Sequence, residues 1–561
     1  MRSTAPALAL ALAVAAGTSA SAPASPPAPA ARPRLLLFVS VDQLRYDYLV
    51  RFAPLFQGGF KRLLGEGAVF GNAFYRHADT ETGPGHSVLL TGRHARDTGI
   101  VANEWYDRLR GGDLVNVVDD GLSRPLPGPG RGASPANSLG VTIGDLLKRA
   151  SPRSRVVGVS VKDRAAVLLA GRNADAAYWL EAKGGGFGTS TYYMAALPPW
   201  LTAWRDSRPF DRLRGAAWQR LLPDTALYER LAGPDDVKGE HEGRTFPHLI
   251  HGAPPDDTFF DDVRHTPFGD EMILEAALRA MDGHDVGSDD DTDILAVSFS
   301  ATDAVGHYYG PDSQEEMDQV LRLDRTLGRL IEAAERRAGP GRLLLALSAD
   351  HGAMPLVEVL RARGVDARRV HPDVFRTAVK AALARSFPRA AGLVAKDDAP
   401  HFYLDEGALR RNGLKASAVE KVIGDALRGT GLVDRVYTPA DLMGDPPAGD
   451  PDFAFFRNAF FEARSPQVIA RLKRWVLVDE DPTGTGHGTV QDYDRHVPVA
   501  FLGAGIRAGR FEGACGPEDI APTLATLLGL PYVLEDGQRV LAEALSDPPL
   551  PPAPVSAPRP R

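Results

Sequence analysis

Apolar runs of strand length alternate with segments of helical periodicity through residues 35–545. Because these runs are apolar without alternation, they are typical of parallel strands that are buried on both faces of a sheet. Helices are predicted over residues 315–337 and 517–530. The pattern predicts an α/β fold with a mostly parallel central sheet flanked by helices. The strand candidates are LLLFVSV (35–41), VVGVSV (156–161), ILAVSFS (294–300), LLLALSA (343–349) and VPVAFLG (497–503).

Four stretches depart from this regular pattern. Residues 195–270 and 355–480 have mixed periodicity with scattered Pro and Gly, and we expect them to be insertions that form a cap near one edge of the sheet. Residues 23–34 and 546–561 are rich in Pro and bury too little apolar surface to fold. They are therefore predicted to be a linker and a disordered tail on either side of one folded region.

Composition limits the kinds of molecule that the chain is expected to bind. The chain has 561 residues, of which 44% are hydrophobic and 24% charged, so it can bury a large core. Its formal net charge of -8 provides no basic field, which argues against nucleic acid as a dedicated partner. Cys515 is the single cysteine, so an intramolecular disulfide is excluded and the thiol is expected to be a small buried hydrophobe.

The N-terminus is typical of a secretory signal peptide over residues 1–22. A basic residue precedes an apolar segment, residues 7–16, that is too short to cross a bilayer. Small residues follow, with cleavage after Ala20 or Ala22 as the alternatives. We therefore predict a periplasmic or secreted protein, with a retained anchor as the other possibility. No later run reaches eighteen apolar residues, so no membrane span is expected after cleavage.

Carboxylates follow three of the predicted strands. Asp42 and Asp350 come directly after two apolar runs, and Asp303 comes shortly after a third. Because parallel strands end at the same edge of a sheet, these side chains are expected to gather there. Three like charges at one edge repel each other, so the cluster requires a cation.

Histidines accompany these carboxylates. His307 lies four residues after Asp303, His351 follows Asp350 directly, and His487 sits in the glycine-rich stretch GTGHGT. Mixed Asp and His ligands favour zinc over calcium or magnesium, and two such groups indicate a two-metal centre. Each pair alone is more often a turn or a helix cap. Their joint occurrence at one sheet edge favours the metal site.

A hydroxyl is predicted at the same edge. Thr82 stands two residues before Pro84, where a following apolar run indicates that a helix begins. A helix-capping hydroxyl is the simple alternative. His86, in the same motif, is expected to be structural rather than a ligand. The acidic run 289–291 is expected to be a solvated turn, with a weak calcium site as the alternative.

Seven short stretches carry these residues, namely SVDQLRYD (40–47), TETGPGHS (80–87), GIVANEWYD (99–107), VSVKDRAAV (159–167), TDAVGHYYGP (302–311), SADHGAM (348–354) and GTGHGT (484–489). Their order resembles the alkaline phosphatase superfamily, in particular the single-chain, phosphate-irrepressible bacterial alkaline phosphatases with a threonine nucleophile. The resemblance extends from about residue 35 to 545. It implies an alkaline phosphatase-like fold and zinc-dependent hydrolysis of small-molecule phosphate monoesters through a phosphothreonine, by a protein expected to be a monomer.

The resemblance also implies a role for each motif residue. Thr82 would be the nucleophile, and two Zn²⁺ per chain would be bound. One zinc would be bound by Asp303, His307 and His487, and the other by Asp42, Asp350, His351 and the Thr82 oxygen.

Three further residues bear on the choice between monoester and diester substrates. Lys162 and Arg164 stand two apart after a strand, and strand alternation would turn both toward two non-bridging phosphoryl oxygens. Asn103 is expected to donate to another phosphoryl oxygen. In the simple reading, the three are exposed cations and a turn amide.

Two other functions stay open at this point. The nucleotide pyrophosphatase and phosphodiesterase branch shares a threonine and an asparagine of this kind, and a secreted metal-binding protein without catalysis is the non-enzyme alternative. TGPGH lacks the sequence context that sulfatases need for formylglycine.

Overall fold

The computed structural model describes residues 32–108, 112–181, 185–240, 245–254 and 257–546. The predicted signal peptide lies outside these residues, as does nearly all of the predicted linker and tail.

The described residues contain twenty strands and twenty α-helices. In chain order the strands are β1 (Leu35–Val41), β2 (Ala68–Phe70), β3 (Glu104–Asp107), β4 (Asp113–Asn116), β5 (Pro125–Leu126), β6 (Val156–Ser160), β7 (Ala176–Glu181), β8 (Gly186–Ser190), β9 (Ala217–Trp218), β10 (His248–Leu249), β11 (Asp293–Phe299), β12 (Leu343–Ser348), β13 (Arg368–Val370), β14 (Val394–Asp398), β15 (His401–Leu404), β16 (Val433–Tyr437), β17 (Ile469–Leu472), β18 (Val476–Val478), β19 (Val499–Gly503) and β20 (Gly509–Phe511).

In chain order the helices are α1 (Tyr46–Arg51), α2 (Gly59–Glu66), α3 (Thr82–Thr91), α4 (Ala95–Thr98), α5 (Ile143–Ala150), α6 (Asp163–Ala170), α7 (Pro199–Asp206), α8 (Thr225–Ala232), α9 (Asp257–Arg264), α10 (Phe268–Gly283), α11 (Ala301–Tyr309), α12 (Gln314–Ala338), α13 (Val357–Ala362), α14 (Asp373–Ser386), α15 (Glu406–Arg411), α16 (Ala416–Gly429), α17 (Pro439–Met443), α18 (Phe453–Ala459), α19 (Asp492–Arg495) and α20 (Ile520–Leu528). Helices α12 and α20 confirm the two helices predicted from the periodicity.

A central sheet of ten strands organises the molecule, in the order β20-β2-β19-β12-β1-β11-β6-β7-β8-β5. Its middle, from β12 to β7, is parallel, which confirms the predicted α/β class. Strand β19, from the run 497–503, is antiparallel to β12, so the expectation of a parallel strand there was wrong. The physical reason is that an unbroken apolar run reports burial on both faces and carries no information about strand direction.

Both faces of the sheet are covered, as the apolar runs require. Along β1, Leu35, Leu37 and Val39 belong to one hydrophobic cluster. Their neighbours Leu36 and Phe38 belong to a second cluster on the opposite face. Side chains of adjacent strand residues point to opposite faces, so one strand contributes to two cores.

The two irregular stretches differ in how they pack. Trp204, Phe210 and Phe259, from the first stretch, belong to the main cluster beneath the sheet. The second stretch has a hydrophobic cluster of its own, which includes Phe375 and Ile423. Whether these stretches act as a cap remains a prediction.

Several smaller expectations also meet the structure. Cys515 is buried in the second cluster, as predicted, and burial raises the pKa of its thiol to about 12. None of the helices in the described part of the chain has the length and apolarity that a membrane crossing requires. In the run 289–291 each carboxylate pairs with an arginine, which fits a solvated turn; the pairs are Asp289–Arg155, Asp290–Arg34 and Asp291–Arg153.

Candidate metal centre

Three neighbouring strands deliver the predicted carboxylates to one edge of the sheet. Asp42 follows β1 directly, and Asp350 stands two residues beyond the end of β12. Asp303 lies in the first turn of α11, the helix that follows β11. Strands β12, β1 and β11 are adjacent and parallel, so their carboxyl ends meet at this edge.

The first group of candidate metal ligands consists of Asp303, His307 and His487, whose ligand atoms all lie within 4.8 Å of one another. The Nε2 atoms of His307 and His487 lie 3.3 Å and 3.8 Å from Asp303 Oδ1. Their Nδ1 atoms face the carbonyl oxygens of Thr485 and Thr80, each at 2.7 Å. Such carbonyls accept a hydrogen bond from Nδ1–H and leave Nε2 available to bind a metal ion.

The second group contains Asp42 and Asp350, but with His86 as the histidine whose ring atoms lie close to both carboxylates. His86 Nδ1 faces the Thr82 carbonyl and Nε2 faces Ser298 Oγ, both at 2.9 Å. Because both ring nitrogens are engaged in hydrogen bonds, the geometry fits the structural role expected for His86.

His351 has the features of a ligand instead. Its Nδ1 faces the Gly352 carbonyl at 3.0 Å, and its Nε2 lies 3.3 Å from Asp350 Oδ2. Within the described residues, neither this Nε2 nor Asp350 Oδ2 has a hydrogen-bond partner. The His351 ring also stacks on His487, with centroids 3.6 Å apart, which brings the two groups together.

The pKa values of these histidines shift in different directions. Burial lowers the pKa of His351 to about 4, and burial together with His351 and His307 lowers the pKa of His487. Burial acts in the same direction on His86, but the carboxylates of Asp42 and Asp350 outweigh it and raise the pKa of His86 to about 9.

Thr82 opens helix α3, which confirms the predicted helix start. It is the first helical residue, and the preceding Glu81 is the N-cap, so the capping interpretation of Thr82 was wrong. A β-carbon at Gly85 would collide with the backbone of Asp350. Glycine therefore lets the first turn of α3 pack directly against the second group.

Lys162 and Arg164 occupy the start of α6 rather than the end of a strand. The strand β6 ends at Ser160, and Lys162 is the N-cap of α6. The alternation argument was therefore wrong, because the chain enters a helix between the two cations. Lys162 Nζ lies 2.7 Å from Asp42 Oδ2 and 2.6 Å from Asp303 Oδ2, between the two groups.

Asn103 is held in a defined orientation. Its Oδ1 accepts a hydrogen bond from the Gly83 backbone N–H at 2.8 Å. Its own backbone N–H donates to Glu81 Oε2 at 2.8 Å. With Oδ1 occupied, the amide group Nδ2 is the side-chain donor that Asn103 can offer to a ligand beside Thr82.

Gln43 also belongs to this centre, although sequence reasoning missed it. Its backbone N–H donates to Asp350 Oδ1 at 3.0 Å, and its Nε2 donates to Asp303 Oδ1 at 2.9 Å. Gln43 is buried and has a positive φ of 63°. The only signal in the sequence was its position directly after a strand and Asp42.

Two cavities open beside the centre. One, of about 480 Å³, extends from Glu81 and Asn103 to the residues that follow His487. The other, of about 470 Å³, lies on the side of Lys162 and His307. An organic group attached to a bound phosphoryl group therefore has two directions in which to extend.

Comparisons with known proteins agree with this architecture. Residues 36–438 match the family described as type I phosphodiesterase / nucleotide pyrophosphatase. The chain is 32% identical over 511 residues to the alkaline phosphatase PafA of Elizabethkingia meningoseptica, covering 89% of this chain and 92% of that protein. It is 33% identical to the alkaline phosphatase PhoK of a Sphingomonas species, covering 89% of each.

A solved structure extends the likeness to the fold. The crystal structure of wild-type PafA superposes with a TM-score of 0.84 at 31% identity, covering 92% of this chain and 99% of PafA. The resemblance proposed from the motifs is thereby confirmed. The chain belongs to the type I phosphodiesterase / nucleotide pyrophosphatase family and stands among its alkaline phosphatases.

Proposed function

We propose that the protein is a zinc-dependent alkaline phosphatase that hydrolyses phosphate monoesters through a covalent phosphothreonine at Thr82. The observation that carries the proposal is the convergence of the two groups of Asp and His side chains on the start of α3, with Lys162 between them. Relatives named alkaline phosphatases over nearly the whole chain support the reaction class.

The donor sets fit two zinc ions. Carboxylate oxygens and imidazole nitrogens are the ligands that zinc accepts, and Asp350 Oδ2 and His351 Nε2 are buried among the described residues with no hydrogen bond of their own. We assign one ion to Asp303, His307 and His487, and the other to Asp42, Asp350, His351 and the Thr82 oxygen. When bound, the two ions would supply Lewis-acid stabilisation of the oxygens on either side of phosphorus.

The protein's own residues provide the nucleophile and the oxygen-binding groups. The Thr82 hydroxyl attacks phosphorus, gives up its proton to solvent and displaces the alcohol as the ester P–O bond breaks. Water then hydrolyses the phosphothreonine, which releases phosphate and restores the Thr82 hydroxyl. The free N–H groups at the start of α3 favour the negative phosphoryl group. Asn103 Nδ2 donates to one non-bridging oxygen. Lys162 and Arg164 provide cationic donors for the others, an arrangement that suits a monoester dianion better than a diester.

A second candidate function is nucleotide pyrophosphatase or phosphodiesterase activity, because the matching family is described by those activities. A secreted metal-binding protein without catalysis is the non-enzyme alternative. We further propose that residues 1–22 direct export to the periplasm or outside the cell. We expect a monomer that acts on small-molecule phosphate monoesters without a dedicated nucleic-acid partner.

The experiment that tests the proposal compares metal-free and zinc-loaded protein. Prolonged chelation should abolish hydrolysis of phenyl phosphate, and added zinc should restore it as about two ions bind per chain. Bis-p-nitrophenyl phosphate, measured beside it, reports the diesterase alternative. A metal-free protein that still hydrolyses the monoester, or a zinc-loaded protein that prefers the diester, would contradict the proposal.

A further inference from the structure

The cavity beside Asn103 has a wall of mixed origin. One side comes from residues 78–114, including Trp105 and Tyr106 of β3, and the other comes from the second irregular stretch, including Tyr403 and Ile469. The rings of Tyr106 and Tyr403 lie 5.5 Å apart between centroids, at an angle of 55°. Trp105 and Tyr403 are almost fully buried and Tyr106 is partly exposed, so the wall offers mainly the Tyr106 ring to an organic group of moderate size.

Carboxyl groups also line this cavity. Asp79, Glu81 and Asp398 all line it. Burial, and then the charges of Glu81 and Asp398, raise the pKa of Asp79, which indicates that the three groups lie close enough to interact. In the described part of the chain, Asp79 has no hydrogen bond or ion pair, so its carboxyl group has no fixed cationic partner.

The two arginines that line the same wall have their charges balanced by ion pairs with carboxylates. Arg376 Nε lies 2.7 Å from Asp397 Oδ2. Arg471 contacts three carboxylates of the second irregular stretch, those of Asp434, Asp450 and Asp452. Lys396 stands at the exposed rim. Asp398 is exposed like Lys396 and stands at the same rim, while Asp79 and Glu81 line the cavity from partly buried positions nearer to Thr82 in the chain.

The cavity begins next to the site at which we expect the phosphate ester to bind. It reaches from Asn103, the predicted donor to the phosphoryl group, to Gly488 and Thr489, which directly follow His487. The organic part of a phosphate ester bound at the centre would enter this space first if it extends toward Asn103.

We propose that this cavity receives the organic part of the phosphate ester and selects alcohols with an aromatic or apolar body and a cationic nitrogen over anionic ones. The Tyr106 ring would contact the body of the alcohol and attract the cation. The carboxylate of Asp398 would attract a cationic group and repel an anionic one, and a bound cation would also favour the charged form of Asp79, whose pKa is raised. This inference rests on the proposed phosphatase activity and adds a substrate class to it.

The test uses three phosphate monoesters with the same reacting bond. Tyramine phosphate, tyrosol phosphate and the phosphate of 3-(4-hydroxyphenyl)propanoate carry an ammonium, a hydroxyl or a carboxylate at the end of a saturated spacer. Their phenols differ little in acidity because the spacer is saturated. For the unaltered zinc-loaded protein, we expect kcat/KM to fall from the cationic to the neutral to the anionic ester. Each step should be about tenfold, as for one unit charge at about 7 Å in a partly solvated site.

Variants locate the source of the selectivity. Asp398→Asn should lower the ratio of kcat/KM for tyramine phosphate to that for the propanoate ester about 100-fold, because the lost charge acts on both tenfold steps. Asp79→Asn should lower the ratio less, because the pKa of Asp79 is raised by burial and by the charges of Glu81 and Asp398. Asp481→Asn is the matched control, because Asp481 lines the other cavity and is also exposed. It should leave the ratio unchanged. Thermal melting of each variant verifies that it is folded, and the ratio itself cancels any uniform loss of active enzyme.

The outcomes separate this inference from the proposed function. If no ester is hydrolysed, the phosphatase assignment fails and the inference with it. If all three are hydrolysed with equal efficiency, the enzyme is a phosphatase but the cavity does not select by charge. A ratio that collapses in Asp481→Asn and persists in Asp398→Asn and Asp79→Asn would move the organic group to the other cavity and overturn the inference.

Discussion

The carboxamide oxygen of Gln43 lies against Gly306, so closely that a β-carbon on Gly306 would overlap it. Gly306 stands between Asp303 and His307 on α11, and Gln43 donates hydrogen bonds to both Asp303 and Asp350. Gln43 thus connects the two groups of candidate ligands from a residue with a positive φ of 63°. The glycine in TDAVGH is explained by this contact.

We expect Gly306→Ala to weaken zinc binding, because the added methyl group displaces the Gln43 side chain from Asp303. The loss of such a supporting hydrogen bond typically costs about 10- to 100-fold in metal affinity or activity. The double variant Gly306→Ala, Gln43→Gly should recover part of the affinity, since it removes the collision and glycine readily adopts the positive φ. The measurement is the fraction of zinc that each variant retains in the presence of a chelator of known affinity.

The single variant Gln43→Gly is the control for this pair. It lacks the hydrogen bond to Asp303 without any collision, so it should bind zinc about as weakly as the double variant. Equal zinc affinity in Gly306→Ala and the unaltered protein would contradict the role given to the contact.

The gathering of Asp42, Asp303 and Asp350 was predictable from sequence because it depends on local features. Apolar runs identify buried strands, and parallel strands place whatever follows them at one edge. Gln43 was not predictable, because its positive φ and its two carboxylate contacts arise only when β1, β11 and β12 are side by side. The spacing of residues along the chain does not indicate the positive φ or the two carboxylate contacts.

Two predictions, the direction of β19 and the orientation of Lys162 and Arg164, were wrong because these features also depend on how distant parts of the chain pack together. The direction of β19 depends on the path of the chain between strands, which its apolar pattern does not encode. The geometry of Lys162 and Arg164 was misjudged because helix α6 begins at Asp163, only three residues after β6 ends. Even so, Lys162 reaches the centre, since a long flexible side chain tolerates a change in backbone direction.

Thr82→Ala should abolish the covalent intermediate and most of the activity, because it removes the oxygen that we propose to attack phosphorus. Thr82→Ser should keep substantial activity, since it retains the oxygen at the start of α3. The measurement is acid quenching with a ³²P-labelled monoester, followed by mapping of the labelled peptide. Label on any peptide other than the one containing Thr82 would refute the assignment of the nucleophile.

A stability prediction concerns Asp324, a buried carboxylate on α12. It accepts hydrogen bonds from the backbone N–H groups of Gln57, Gly58 and Phe60, at 2.6–2.8 Å, where α2 begins. Asp324→Ala leaves these donors without their acceptor and should lower the free energy of unfolding by about 3 kcal/mol. Glu332→Ala, an exposed change on the same helix, is the control and should have little effect in chemical denaturation.

The last prediction concerns the two cations at the start of α6. Lys162 lies within 2.7 Å of a carboxylate in each candidate ligand group, so Lys162→Ala alters the metal centre as well as the phosphoryl site. Arg164 shows no such contact among the described residues, which makes Arg164→Ala the cleaner probe of how the non-bridging oxygens are bound.

A monoester dianion carries one more negative charge on its non-bridging oxygens than a diester, so a cation aimed at them stabilises its transition state preferentially. Removing one such preorganised donor typically costs about 100- to 1000-fold in rate. We therefore expect Arg164→Ala to lower kcat/KM for phenyl phosphate by about that factor and to lower it far less for bis-p-nitrophenyl phosphate. Zinc content should stay at the level of the unaltered protein. If both substrates slow equally at full zinc occupancy, Arg164 does not discriminate between them, and the phosphodiesterase alternative gains support.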